Sequence, residues 1–107
     1  MKHLGLIGLT LFISTAVLLP ALAQEGDAGA GLTVAQDTCA RCHPIRKGQQ
    51  SANANAPAFE KIAGVPGMTA IALQASLQTS HRSMPNLILS TEDRRNVVAY
   101  ILSLKPR

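Results

Sequence analysis

Tryptophan is absent from the 107-residue sequence, and the larger rings are limited to Phe12, Phe59 and Tyr100. So few aromatics leave little with which to fill a core, and small domains commonly lean on a disulfide, a metal or another staple. Cysteine is equally scarce. Cys39 and Cys42 are the only two, which excludes a framework of several disulfides. Acidic residues number six against ten Lys and Arg, for a formal charge of +4. The basic residues form no run and are not interleaved with aromatics, so nothing here reads as a nucleic-acid surface. Strand-like alternation, internal repeats and low-complexity tracts are missing as well. What remains is the pattern of an all-α chain with long loops.

The apolar run Leu4 to Leu19 falls short of the about 20 residues that a membrane span needs. It follows a short positive head, Met1-Lys2-His3, and precedes Pro20 and the small residues of Ala21-Leu22-Ala23. Those three parts make a secretory signal peptide. The expectation is therefore a leader over residues 1–23, a single domain over residues 24–107 and export to the periplasm. Membrane contact is expected only if the leader is retained. Without Lys2 the domain carries nine Lys and Arg against six Asp and Glu, or +3.

Within the domain, residues 24–30 carry no apolar period and read as a flexible start. Gly31 to Ala40 fits a short helix with Leu32, Val34 and Ala35 as its apolar members. Residues 44–58 form a long polar stretch, and a loop of that length inside a small domain signals disorder or a function such as wrapping a prosthetic group. Phe59 to Ala63 fits one helical turn ahead of the turn cluster Gly64-Val65-Pro66-Gly67. Thr69 is placed to cap a helix ending near Gln78, with Leu73 and Leu77 on one face. Residues 79–90 read as a loop. Ser90, with Asp93 three residues on, opens the clearest helix, in which Val97, Tyr100, Ile101 and Leu104 recur at helical spacing before Pro106.

Cys39-Ala40-Arg41-Cys42-His43 is C-x-x-C-H, the attachment pattern for c-type haem. Each thiol adds across one porphyrin vinyl group, and the two-residue gap lets both sulfurs reach the vinyls on one edge. The adjacent imidazole then approaches the iron, coordinating through one nitrogen while the other donates to a carbonyl. Three other readings compete with haem. A disulfide between Cys39 and Cys42 closes a very small loop and stabilises little. A thioredoxin-like pair calls for alternating strands and helices. A zinc site needs four ligands, whereas only His81 remains outside the motif once the leader is gone. Haem is the reading that absorbs every residue of the pattern.

An iron held on one side by His43 leaves its other face open to a second side chain. A methionine there raises the reduction potential, because a soft thioether stabilises ferrous iron. Met68, at the mouth of a predicted helix, suits a core filler. Met84 lies in a loop, and Pro85 after it restricts its backbone to extended conformations, which favours it as the ligand. His81 is the alternative and gives bis-histidine ligation. Met84 and His43 are thus the expected metal ligands.

With these residues in place the chain resembles a class I cytochrome c of the small bacterial type, from about Gly29 to Leu104. The resemblance implies a cytochrome c fold, three to four short helices and long loops around one covalently bound haem. It also implies a first helix crossing the last at close range. In the family a glycine eight residues before the first haem cysteine permits this; Gly31 stands eight before Cys39, and Tyr100 matches the aromatic packed against it. A proline after the motif offers its carbonyl to the proximal histidine, a role the resemblance gives to Pro57, with Phe59 packing near the porphyrin. The segment His81 to Ser90 resembles the distal-ligand loop.

The sequence also departs from the family pattern. The domain lacks a propionate-bracing tryptophan and a dense lysine ring, having only Lys47, Lys61 and Lys105, and Ala35 stands where an aromatic is common. Arg46, Lys47 and Arg82 are candidate propionate partners.

The function implied is that of a periplasmic electron-transfer protein, not an enzyme, carrying one electron on haem c with His/Met ligation. It would be passed between redox partner proteins such as a dehydrogenase, a cytochrome complex or an oxidase. The alternatives are a dedicated cytochrome c subunit of a periplasmic dehydrogenase and a haem sensor with a displaceable distal ligand. A monomer or a subunit of a redox complex fits equally.

Overall fold

Asp27 opens the first helix, α1 (Ala28–Val34), by accepting the Ala30 N–H at 2.8 Å. The computed structural model describes residues 26–79, 81 and 83–107. The expected leader (1–23), Gln24 and Arg82 lie outside the described residues. The helix starts earlier than periodicity suggests, because residues 28–30 need no apolar face once Asp27 caps their free N–H groups. The Asp27 N–H in turn donates to Asn96 Oδ1 at 2.8 Å, which fastens this end to the last helix.

The expected single helix over Gly31 to Ala40 is also modified. After Val34 the chain widens into a π-helical turn, Ala35–Cys39, and the Ala40 N–H reaches back five residues to the Ala35 carbonyl at 2.9 Å. Such turns are uncommon and recur at functional sites. Here the turn buries both Ala35 and Cys39 and delivers the chain into the cysteine motif.

Three further helices follow: α2 (Phe59–Ala63), α3 (Ala70–Gln78) and α4 (Thr91–Ser103). The starts of α3 and α4 have visible causes. The Thr69 hydroxyl accepts from the Ala72 N–H at 3.2 Å, and Ser90 Oγ accepts from the Asp93 N–H at 3.0 Å, each satisfying a donor that a helix leaves unpaired. No strand occurs among the described residues. The fold is all-α, with four α-helices among the described residues, as the sequence pattern indicates.

Packing converges on α4. Val97, Val98, Tyr100 and Ile101 are buried with Ala35, Cys39, Ile45, Phe59, Ala63 and Leu73 in one core. Gly31 lies so close to α4 that a Cβ on it would stand 1.9 Å from the Asn96 carbonyl oxygen and 2.8 Å from Tyr100 Cβ. Only a hydrogen atom fits between the two backbones. Gly26 makes a second approach of this kind, its virtual Cβ falling 2.1 Å from the Arg95 carbonyl oxygen. The glycine and the aromatic named from sequence thus meet at the α1–α4 crossing.

Candidate functional site

The π turn ends at Cys39, and the next residues turn once more. The Cys42 and His43 N–H groups both reach the Cys39 carbonyl, at 3.1 and 3.0 Å. Residues three and four apart share one side of a helical turn. This local winding puts Cys39, Cys42 and His43 on the wall of one cavity of about 310 Å³. No disulfide joins the two cysteines. Burial pushes the Cys39 thiol up from 9.0 to about 11, because a buried site disfavours the thiolate. A neutral sulfur suits that position.

The polar stretch after the motif is an ordered wrap. Gln49 Oε1 accepts from the Ile45 and Arg46 N–H groups at 3.0 and 2.9 Å, while Pro44 and Ile45 are buried. The Ser51 hydroxyl lies 3.2 Å from both the Cys42 and the Ala56 carbonyls and also contacts the Asn53 carbonyl. Its single proton is shared among these acceptors. The Phe59 N–H closes the wrap on the Pro44 carbonyl at 2.9 Å.

This closure brings Pro57 to His43. The Pro57 carbonyl accepts from His43 Nδ1 at 2.7 Å. A carbonyl oxygen can only accept, so Nδ1 carries the ring proton and Nε2 keeps the lone pair. Phe59 lies against the same imidazole, with ring centroids 5.5 Å apart, and against Tyr100 at 6.4 Å. The Tyr100 hydroxyl donates to the Ile45 carbonyl at 2.7 Å.

More of the lining comes from α3 and the segments on either side of it. Leu73 and Leu77 face the cavity, and so do Met68, His81 and Met84. The two methionines differ in their surroundings. Met68 packs against the hydrophobic core, whereas Met84 is half-buried and lies outside that cluster. His81 is exposed, with Nδ1 3.2 Å from the Thr79 carbonyl. All six residues singled out in the sequence, Cys39, Cys42, His43, Pro57, Phe59 and Met84, line this one cavity.

Sequence reasoning missed the residues that shape the site without facing it. Gln49 and Ser51 looked like loop polarity, and a side chain bonding its own neighbouring backbone was the available signal. Asn96 is 8 % exposed in the core side of α4, and nothing in its periodicity distinguishes it from a surface asparagine.

An apolar cavity lined by two cysteine sulfurs, an imidazole with a directed lone pair and two thioethers fits a covalently bound haem. Residues 25–101 match the family model described as cytochrome c oxidase, cbb3-type, subunit III. The chain is also 36 % identical over 104 residues to cytochrome c-552 of Bradyrhizobium diazoefficiens, covering 97 % of this chain and 99 % of that protein. The chain belongs to this family of monohaem c-type cytochromes. No solved structure matches it significantly. Membership establishes a covalently bound haem c, which Cys39 and Cys42 fit as attachment points, and electron transfer through that haem with redox proteins as its partners. No helix of this cytochrome among the described residues is long and apolar enough to cross a membrane.

Proposed function

We propose that this cytochrome is an exported, periplasmic one-electron carrier, with His43 and Met84 as the axial ligands of its haem and residues 1–23 as a removable leader. The observation that carries the reading is the Pro57 carbonyl 2.7 Å from His43 Nδ1, which leaves Nε2 as the coordinating nitrogen. The bound haem supplies the one-electron couple. Cys39 and Cys42 anchor it, and the Gln49 and Ser51 bonds hold the loop that presents Pro57. Phe59 and Leu73 exclude water from the cavity, which limits solvent rearrangement as charge changes.

Met84 is favoured over Met68 because it lines the cavity without being committed to the core. Two axial side chains leave no open position for a substrate, which supports a relay and not a catalyst. The test is an optical spectrum of purified protein, oxidised and reduced, with a haem stain after denaturing electrophoresis. A thioether-to-iron band in the ferric form and covalently retained haem are expected. Carbon monoxide binding to the reduced protein at neutral pH would instead indicate an open distal site and the sensor reading.

A second reading is a dedicated subunit of a larger redox complex. It is favoured by Ile88, which is fully exposed four residues after Met84, and by the oxidase subunit named in the matching family model. Size-exclusion of the native extract separates the two: a free carrier elutes at its own mass, a subunit with its partner.

A further inference from the structure

Arg94 occupies an unfavourable place. It lies in the first turn of α4, where the helix dipole is positive and a cation is disfavoured. Its Nε is buried and has no hydrogen-bonding partner among the described residues, and a buried donor left unpaired is costly. Among the described residues its side chain makes one hydrogen bond, from Nη1 to the Leu89 carbonyl at 3.5 Å, the long end of hydrogen bonding.

Arg94 borders a second cavity of about 490 Å³, which Met84, Pro85, Leu87 and Leu89 also line. These residues belong to a segment without helix or strand. Among the described residues no backbone-to-backbone hydrogen bond holds Pro85 to Leu89. The segment is thus tethered at its Leu89–Ser90 end, by the Ser90 cap and by the Arg94 guanidinium on the Leu89 carbonyl.

We propose that Arg94 is a positioning residue, clamping the 85–89 segment against the start of α4 and so holding Met84 at the haem cavity. The inference rests on Met84 as the distal ligand. Arg94 touches neither haem nor iron in this role. It acts by restricting the chain that carries the sulfur, which keeps Met84 from yielding its place to an external ligand. Met84 also lines the main cavity, so a shift of this segment moves one wall of the haem site directly.

Imidazole titration of the purified ferric, haem-bearing protein tests the clamp, with parent, Met84→Ala, Arg94→Met and Arg94→Lys as four arms. Arg94→Met keeps an apolar stem but removes charge and donors. It is expected to bind imidazole about tenfold more tightly than the parent, in line with loss of a charged hydrogen bond, while haem content and helical circular dichroism stay at the parent values. Arg94→Lys keeps the charge without the fork and should lie between them. Met84→Ala should bind most tightly. Parent-like affinity in Arg94→Met beside tight binding in Met84→Ala overturns the clamp and leaves the ligation reading standing. Parent-like affinity in Met84→Ala overturns both. A lower urea midpoint in Arg94→Met with unchanged imidazole affinity assigns a merely structural role and also rejects the clamp. If Arg94→Met is not recovered, Arg94→Lys decides alone, and parent affinity there rejects the proposal.

Discussion

The Tyr100 hydroxyl reaches across 55 residues of chain to donate to the Ile45 carbonyl at 2.7 Å. This buried bond ties the last helix to the wrap that follows His43. Tyr100 also carries the ring against Phe59 and the Cβ nearest Gly31. One side chain therefore couples the helix crossing to the His43 side of the cavity.

Removing that hydroxyl leaves the ring in place and the Ile45 carbonyl without its donor. Tyr100→Phe is expected to cost about 1 to 3 kcal/mol, the usual penalty for a buried acceptor left unpaired. Haem remains attached. Urea unfolding of the haem-bearing protein, followed by helical circular dichroism, reads the loss. An unchanged midpoint would show that the carbonyl finds another donor.

The α1–α4 crossing gives a sharper prediction. Gly31→Ala puts a Cβ within 1.9 Å of the Asn96 carbonyl oxygen, and backbone atoms cannot step aside as a flexible side chain can. The helices must separate, at a cost of about 3 kcal/mol or more. Gly48→Ala makes the useful contrast, since a Cβ there meets open space and only the φ of 75° resists it, for about 1 kcal/mol. Thermal unfolding of the two variants should therefore rank Gly31→Ala well below Gly48→Ala. Equal melting temperatures would mean that the crossing is looser than described.

The distal ligand is separable from its rival by substitution. Met84→Ala is expected to keep haem covalently bound and to open the ferric iron to cyanide or imidazole. Met68→Leu, a volume-conserving change at a core-packed position, should cost under about 1.5 kcal/mol and leave the ferric spectrum unaltered. Loss of the thioether band in Met68→Leu and its survival in Met84→Ala would reverse the assignment.

Much of this site was legible because its chemistry is carried by short sequence spacings. Cys39, Cys42 and His43 need only one local winding to share a wall, and Thr69, Ser90 and the repeat through Val97, Tyr100 and Ile101 mark helices by local rules. Gly31 and Tyr100 were legible through the family resemblance. What stayed hidden depends on distant partners. Asn96 is polar yet buried because Asp27, 69 residues away, donates to it, and Ile45 is core because Tyr100 holds its carbonyl. The early start of α1 is of the same kind. Its first turn is secured at Asn96 and not by an apolar face of its own.

The scarcity of large side chains bears on the last prediction. Among the described residues Val97 is the largest side chain that is almost wholly enclosed, and the core otherwise borders a cavity of about 310 Å³. An apolar cavity left empty costs its lining the contacts that a filled site would have. Cys39→Ala together with Cys42→Ala removes both covalent anchors while changing little volume at the cavity wall. The expected product is a poorly folded chain, sensitive to protease, in contrast to the haem-bearing parent. The helices α2 and α3, of five and nine residues, are too short to persist without a packed face, so they should be lost first. Far-ultraviolet circular dichroism and limited proteolysis of the purified double variant measure this. A cooperative, fully helical haem-free domain would show that the polypeptide completes its own core and that haem is cargo, not structure.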